Sequence, residues 1–352
     1  MTSSLTLLAG PDALRWIRER GLRADDVDVV PGASGGPKWL VLAGLDRVLF
    51  GGFFQGRTRP LHLIGSSIGS WRLSCLAQAQ PVAALERMEH AYVEQRYPPK
   101  PPPTLVSATS DAILSAVLGP EGAEQILGHP WARLHIVTAL CRGLSAAEHP
   151  RLQAVGLGLA ALTNLVSRRT LGLHMRRVIF HSAADTSPFA GLRDLPSLHV
   201  PLTRENLRPA LLASGSIPML LSGVRIPGAQ AGVYRDGGIL DYHLDLDFGP
   251  GEGLILYPHF YPYVVPGWFD KALRWRRGSA LNFRRALIIA PSPELVSRLP
   301  GGRIPDRDDF YRLTDEERQR AWRQVLAESR RMGEELWNLL STGRLAEKVR
   351  PL

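Results

Sequence analysis

With 352 residues, 45% of them hydrophobic and 21% charged, the chain can bury one large core or two small ones, and its composition excludes a disordered or fibrous protein. Its formal net charge of +9 is almost entirely arginine, since lysine stands only at positions 38, 100, 271 and 348. The arginines are scattered and form no long block of like charge, so a nucleic-acid partner is not expected.

No segment approaches the ~20 consecutive apolar residues of a membrane-spanning helix. The first ten residues lack the basic stretch that opens a secretory signal. Cys75 and Cys141 have neither metal-ligand nor disulfide-framework spacing. These features predict a cytoplasmic protein without metal or cofactor, leaving open a peripheral contact with a membrane.

In chain order, apolar runs bounded by turn residues predict strands over 27–31, 61–64, 134–140, 177–181, 253–257 and 286–290. Helical patterns fill most of the intervals. The alternation predicts an α/β fold with helices on the faces of one sheet.

The first predicted strand runs into Gly32-Ala33-Ser34-Gly35-Gly36-Pro37-Lys38-Trp39. Such a loop lets backbone N–H groups approach a ligand, and the helical pattern after it aims its positive end at the same place. It suits an oxyanion hole or an anion cradle. The phosphate-loop pattern does not fit, because Pro37 precedes Lys38 and Trp39 follows it.

The second predicted strand ends in Gly65-Ser66-Ser67-Ile68-Gly69, followed by a helical pattern through Leu73 and Leu76. A sharp strand-to-helix turn of this kind exposes its central serine, and Gly65 and Gly69 leave room where side chains would collide. From Gln78 to Trp131 a mostly helical insertion is expected, interrupted by Tyr97-Pro-Pro-Lys-Pro-Pro-Pro103, which reads as a stiff polyproline link on the surface.

Gly156-Leu-Gly158-Leu-Ala-Ala161 matches a dinucleotide fingerprint only formally. No strand precedes it, an apolar strand stands where the ribose-binding acid should fall, and a close-packed helix fits better. Leu212-Ala-Ser214-Gly-Ser216-Ile-Pro218-Met is a small-residue segment suited to the floor of a pocket. Tyr234-Arg-Asp236-Gly237-Gly238 then places a carboxylate on a turn, where partial burial would let it act as a base.

Two aromatic and cationic stretches, 257–263 and 268–277, suit either a buried cover at the sheet edge or a lipid-facing surface. Thr314-Asp-Glu-Glu317 is a capping box that opens a long amphipathic helix through Trp322 and Val325 towards Leu336.

Taken together, Gly35-Gly36-x-Lys38, the G-x-S-x-G at 65–69, Ala213-Ser214-x-x-x-Pro218 and Asp236-Gly237-Gly238 are similar in order and spacing to patatin-like phospholipases. The resemblance covers about Asp26 to Asp241. It implies a three-layer sandwich around a mostly parallel sheet, with a helical insertion and a C-terminal helix. It also implies a Ser67/Asp236 dyad without histidine, an oxyanion hole from the N–H groups of Gly35, Gly36 and Ile68, and hydrolysis of lipid acyl esters. Ser34, Lys38, Gly65, Gly69, Gly237 and Gly238 are the supporting motif positions.

Two positions depart from the family pattern: Ser34 replaces a glycine, its N–H still free to donate, and Trp39 replaces another. A Ser-His-Asp esterase using His243 or His259 is the rival mechanism. A lipid-binding protein without turnover and an acyltransferase are the rival functions. A catalytic unit over 1–300 and a packed helical extension over 301–352 complete the expectation.

Overall fold

The computed structural model describes residues 3–352. Ten strands form one sheet: β1 (Leu5–Ala9), β2 (Val27–Gly32), β3 (Leu61–Ser66), β4 (Ala132–Cys141), β5 (Met175–His181), β6 (Ser197–Pro201), β7 (Val233–Asp236), β8 (Leu254–Pro258), β9 (Ala286–Pro291) and β10 (Arg350–Pro351). Their order is β10-β1-β9-β8-β2-β3-β4-β5-β6, with β7 paired to β4. The pairs β8–β9, β8–β2, β2–β3, β3–β4 and β5–β6 are parallel, while β1–β9, β4–β5 and β4–β7 are antiparallel. This is an α/β fold with a large, mostly parallel mixed sheet flanked by helices.

All six predicted strands are present. The inner ones read as near-continuous apolar runs because both faces of the sheet are covered. Every residue of β4 is buried. Four strands escaped the reading, each for a local reason. β1 is a short apolar run close to the N-terminus. β6 is a half-buried edge, and β10 has only two residues. β7 carries Arg235, whose guanidinium is buried against the Leu221 carbonyl and Glu148, so it shows no apolar alternation.

Two strands therefore precede the strand that leads to Ser67, where the sequence suggested one. The extra strand, β1, lies on the far side of the sheet beside β9.

The insertion forms helices Pro81–Val93, Pro103–Leu118 and Gly122–Leu127. The proline link does more than span a surface, since Pro98, Pro99 and Pro101 wall a large cavity. The capping box at Thr314 and Glu317 opens the Asp315–Ser341 helix as expected. That helix packs so closely on the Ala43–Val48 helix that a side chain at Gly44 would overlap the Ser329 carbonyl. Trp322 and Leu336 are fully buried. The chain then returns to the sheet as β10, beside β1.

Candidate active site

Ser67 and Asp236 meet because two strands share one side of β4. β3 pairs with β4 up to Ser66 opposite Val137, and β7 arrives from the opposite direction with Asp236 opposite Thr138, the next residue of β4. The C-terminal ends of β3 and β7 thus abut. The Ser67 hydroxyl donates to Asp236 Oδ2 at 2.7 Å.

Ser67 caps the Ile68–Leu76 helix with φ 55° and ψ −130°, a conformation that L-residues seldom adopt and that marks a turn held by its surroundings. The flanking glycines have no freedom to be anything else. A Cβ on Gly65 would lie 2.6 Å from the Ser70 backbone, and one on Gly69 would lie 1.9 Å from the Gly32 carbonyl oxygen.

The small-residue segment serves as a clamp. Ser214 Oγ accepts the Ser67 N–H at 2.9 Å and donates to the Val137 carbonyl at 2.7 Å, so the 2.9 Å bond from Ser70 uses the Ser70 proton. The Ser216 carbonyl accepts the Asp236 N–H at 3.0 Å. One segment therefore fixes both backbone positions, a role the sequence reading reduced to a pocket floor.

Asp236 is buried, and among the described residues its carboxylate accepts, besides Ser67, only the Gly238 N–H, at 2.7 Å. Burial raises its pKa to about 6 against the lowering effects of the Ser67 and Gly238 bonds and of the Arg307 and Lys271 charges. Gly237 opens the short turn that follows and sits against Val137, and Gly238 packs on Ser34.

The Gly-rich loop lies beside this pair. Gly36 and Ile68 hold first positions of helical turns, whose N–H groups have no acceptor within the turn. Among the described residues, the Gly35 N–H also has no backbone acceptor. The Ser34 N–H is not free to donate, which corrects the sequence reading: it bonds the Tyr242 carbonyl at 2.8 Å. The Ser34 hydroxyl instead bonds Ser66 at 3.0 Å.

Lys38 pairs with Asp306 at 3.6 Å. Trp39 does not enter the cavities at Ser67. It is buried edge-on to Tyr92, whose ring stacks in turn on Trp322.

No histidine lines either cavity that opens on Ser67. His243 is held by the Val265 N–H and His259 by the Tyr261 N–H, their rings 4.4 Å apart. Burial lowers both pKa values, that of His259 to about 3, so both rings are neutral.

Ser67, Gly36, Ile217 and Arg307 are common to two cavities of unlike character. The larger, about 610 Å3, is walled by Trp71, Tyr92, Tyr97, Ile113, Leu221 and Phe310 among others. The smaller, about 210 Å3, holds Asp236, Lys38, Lys271, Tyr242 and Asp306. Lys271 Nζ sits 4.0 Å from the centre of the Tyr242 ring, and desolvation with the Arg307 and Lys38 charges lowers its pKa to about 8. Among the described residues neither Lys271 nor Arg307 has a carboxylate within ion-pair distance.

Neither residue stood out in the sequence as part of a site. Lys271 lies in a stretch noted for its aromatic rings and cations as a cover or a lipid-facing surface, and Arg307 carries no signal. Of the two aromatic stretches, Tyr257 and Phe260 are buried, as a cover would be, while Tyr263, Trp268 and Trp275 are exposed. Gly156 and Gly158 lie within the Pro150–Val166 helix, where Gly156 packs against Leu144 and Ser145.

A buried serine–carboxylate pair at a strained strand-to-helix turn, beside free backbone donors, is equipment for acyl transfer. No protein-family model matches the chain, and no curated protein matches it.

Proposed function

We propose that this chain is a serine acyl hydrolase of the patatin-like type, acting on lipid esters. The observation that carries the reading is the 2.7 Å bond from the Ser67 hydroxyl to a buried Asp236 at a strained turn, with no imidazole in the cavity.

As Ser67 Oγ attacks the ester carbonyl carbon, its proton passes to Asp236 Oδ2. A carboxylate raised to about 6 is a better base than an ordinary one. The oxygen of the tetrahedral intermediate takes N–H donors from Gly35, Gly36 and Ile68, an arrangement typically worth several kcal/mol, about 3 per donor. Asp236 then returns the proton to the leaving alkoxide, leaving an acyl-serine. Water, deprotonated by Asp236, attacks that ester, and Ser67 recovers its proton.

The two cavities divide the substrate. The aromatic chamber suits the acyl chain, since rings and aliphatic side chains make up most of its wall, although Lys100, Arg307, Asp315 and Arg318 also line it. The smaller chamber suits the alcohol portion, and its unpaired cations Lys271 and Arg307 favour one bearing a phosphate or carboxylate. An acyltransferase would use the same acyl-serine, with an alcohol in place of water.

The occupied Ser34 N–H favours the second reading, a lipid-binding protein without turnover, because it removes one donor from the loop. Covalent labelling separates the two. A fluorophosphonate should modify Ser67 in the folded protein, and p-nitrophenyl esters should be cleaved; an unlabelled Ser67, or ester cleavage that survives Ser67→Ala, would refute the hydrolase.

A further inference from the structure

The Pro150–Val166 helix is inside out. Its core-facing positions are Gln153, Gly156, Leu157, Ala160 and Asn164, all buried. Its outward positions are Leu152, Val155, Leu159, Leu162, Leu165 and Val166, between 45% and 85% exposed. The spacing 152, 155, 159, 162, 166 is a single helical face, so the leucines form a stripe on the wrong side for an ordinary surface helix.

The orientation is pinned by the polar residues that face inward. The Gln153 amide donates to the Ala147 carbonyl at 3.0 Å and accepts the Met219 N–H at 2.7 Å. The Asn164 side-chain amide donates to Asp270 at 2.8 Å, and the Asn164 backbone carbonyl accepts from Arg276 at 2.8 Å. Rolling the helix to bury the leucines would break these bonds and strand buried polar groups.

Neighbouring residues widen the patch. Leu144 packs at Gly156 and is 41% exposed. Leu173, 71% exposed, belongs to the turn that His174 ties to Thr163. Trp275, 75% exposed, precedes the arginine that holds the end of the helix. Contiguous apolar surface of this kind marks an interaction site.

The helix and the segment after it carry cations and no acid, the neighbouring acids Glu148 and Asp194 being paired with Arg235 and with Arg168 and Arg177. Residues 149–184 contain no aspartate or glutamate. Arg151 and Arg169 are exposed at the two ends of the helix, and neither makes an ion pair among the described residues. The helix also borders the candidate site: Leu157, on its inward face, lines the smaller cavity with Ser67 beside Met219 and Trp268, both partly exposed.

We propose that this helix is the surface by which the protein lies on a bilayer bearing anionic headgroups. The leucine stripe enters the boundary between headgroups and acyl chains, and Arg151 and Arg169 meet lipid phosphates. A second copy is the poorer occupant, because a twofold contact would bring together two stripes that carry arginines and no acid, the nearby Glu148 being already paired with Arg235. Docking stands on this surface alone, whereas its coupling to turnover rests on the hydrolase reading.

Co-sedimentation of the full chain with phosphatidylcholine vesicles, with and without phosphatidylglycerol, tests the proposal. The chain should pellet more strongly with phosphatidylglycerol, and added salt should weaken that preference. Leu159→Asp with Leu162→Asp should lower vesicle partitioning by more than about tenfold while leaving the melting temperature and cleavage of a water-soluble acetyl ester unchanged. Arg151→Gln with Arg169→Gln should abolish the preference for anionic vesicles. Ser67→Ala should pellet like the wild type.

The proposal fails if the wild type stays in the supernatant with both vesicles, or if the leucine variant pellets unchanged. It fails equally if sedimentation velocity shows a dimer that the leucine variant dissociates, because the stripe is then covered by a second copy. Vesicle binding without cleavage of any ester would leave docking standing and remove the hydrolase.

Discussion

Asp236 and Asp241 flank one short turn, and both are buried, yet their surroundings are opposites. Asp241 is gripped by Arg177 through two bonds of 2.7 Å, and Arg168 adds a third contact at 3.1 Å. Among the described residues Asp236 has no cation in contact and accepts one hydroxyl and one backbone N–H, so burial leaves it a raised pKa of about 6. A buried carboxylate with a full set of cationic partners is a structural tie. One denied a cation keeps a proton affinity that chemistry can use.

Substitution at the two positions should break the comparison in opposite ways. Asp236→Asn should lower ester hydrolysis by about 10^3-fold, as loss of a general base does, without unfolding the protein. A melt should show it more stable by about 1 kcal/mol, because the isostere removes a desolvated charge. Asp241→Asn should instead cost about 3 to 5 kcal/mol of stability by leaving Arg177 buried and underpaired, while the fraction that remains folded turns over normally. If Asp241→Asn spares stability and Asp236→Asn does not, the contrast between tie and base is wrong.

Acidity sharpens the same contrast. A base must be ionised, so kcat/KM for a neutral soluble ester should rise with pH and reach half its plateau near 6. The stability sign is also determined. A carboxyl group whose folded pKa is raised favours the protonated native state, so the cost of Asp236 is absent below its unfolded value of 3.8 and grows as pH climbs to about 6. Denaturation curves of wild type and Asp236→Asn should therefore diverge across that window and run parallel above it.

The smallest effect concerns the cations across the cavity from Asp236. Lys271→Met should raise KM about tenfold for esters whose alcohol carries a phosphate or carboxylate and leave neutral esters unaffected. Wild-type preference for the anionic esters should fade as pH rises through about 8, where Lys271 loses its proton. Equal effects on both ester classes would remove the anion-binding role.

Much of the architecture was legible because strands covered on both faces are written as apolar stretches with few breaks: β8 and β9 are unbroken, and β2, β3, β4 and β5 keep apolar centres around Asp28, His62, His135 and Arg177. β6 and β7 were not legible. One is a half-buried edge, and the other hides a charged residue whose partners come from distant segments. In the site, Gly65, Ser67 and Gly69 announce themselves because the turn tolerates little else. The clamp by Ser214 and Ser216 showed only as a run of small residues, since hydrogen bonds to a distant backbone leave no period in a sequence.

The sequence by itself determined the α/β alternation, the sharp turn at Ser67 and the helix start at Thr314, because each depends on residues near one another in the chain. Only the tertiary structure decided that Asp236 faces Ser67, through the register by which β3 and β7 meet along β4. It also decided that Ser34 spends its N–H on Tyr242, that Trp39 is buried against Tyr92, and that all the leucines of the Pro150–Val166 helix but Leu157 face outward. Helical periodicity shows which residues share a face. Which face meets the core depends on packing between segments far apart in the chain.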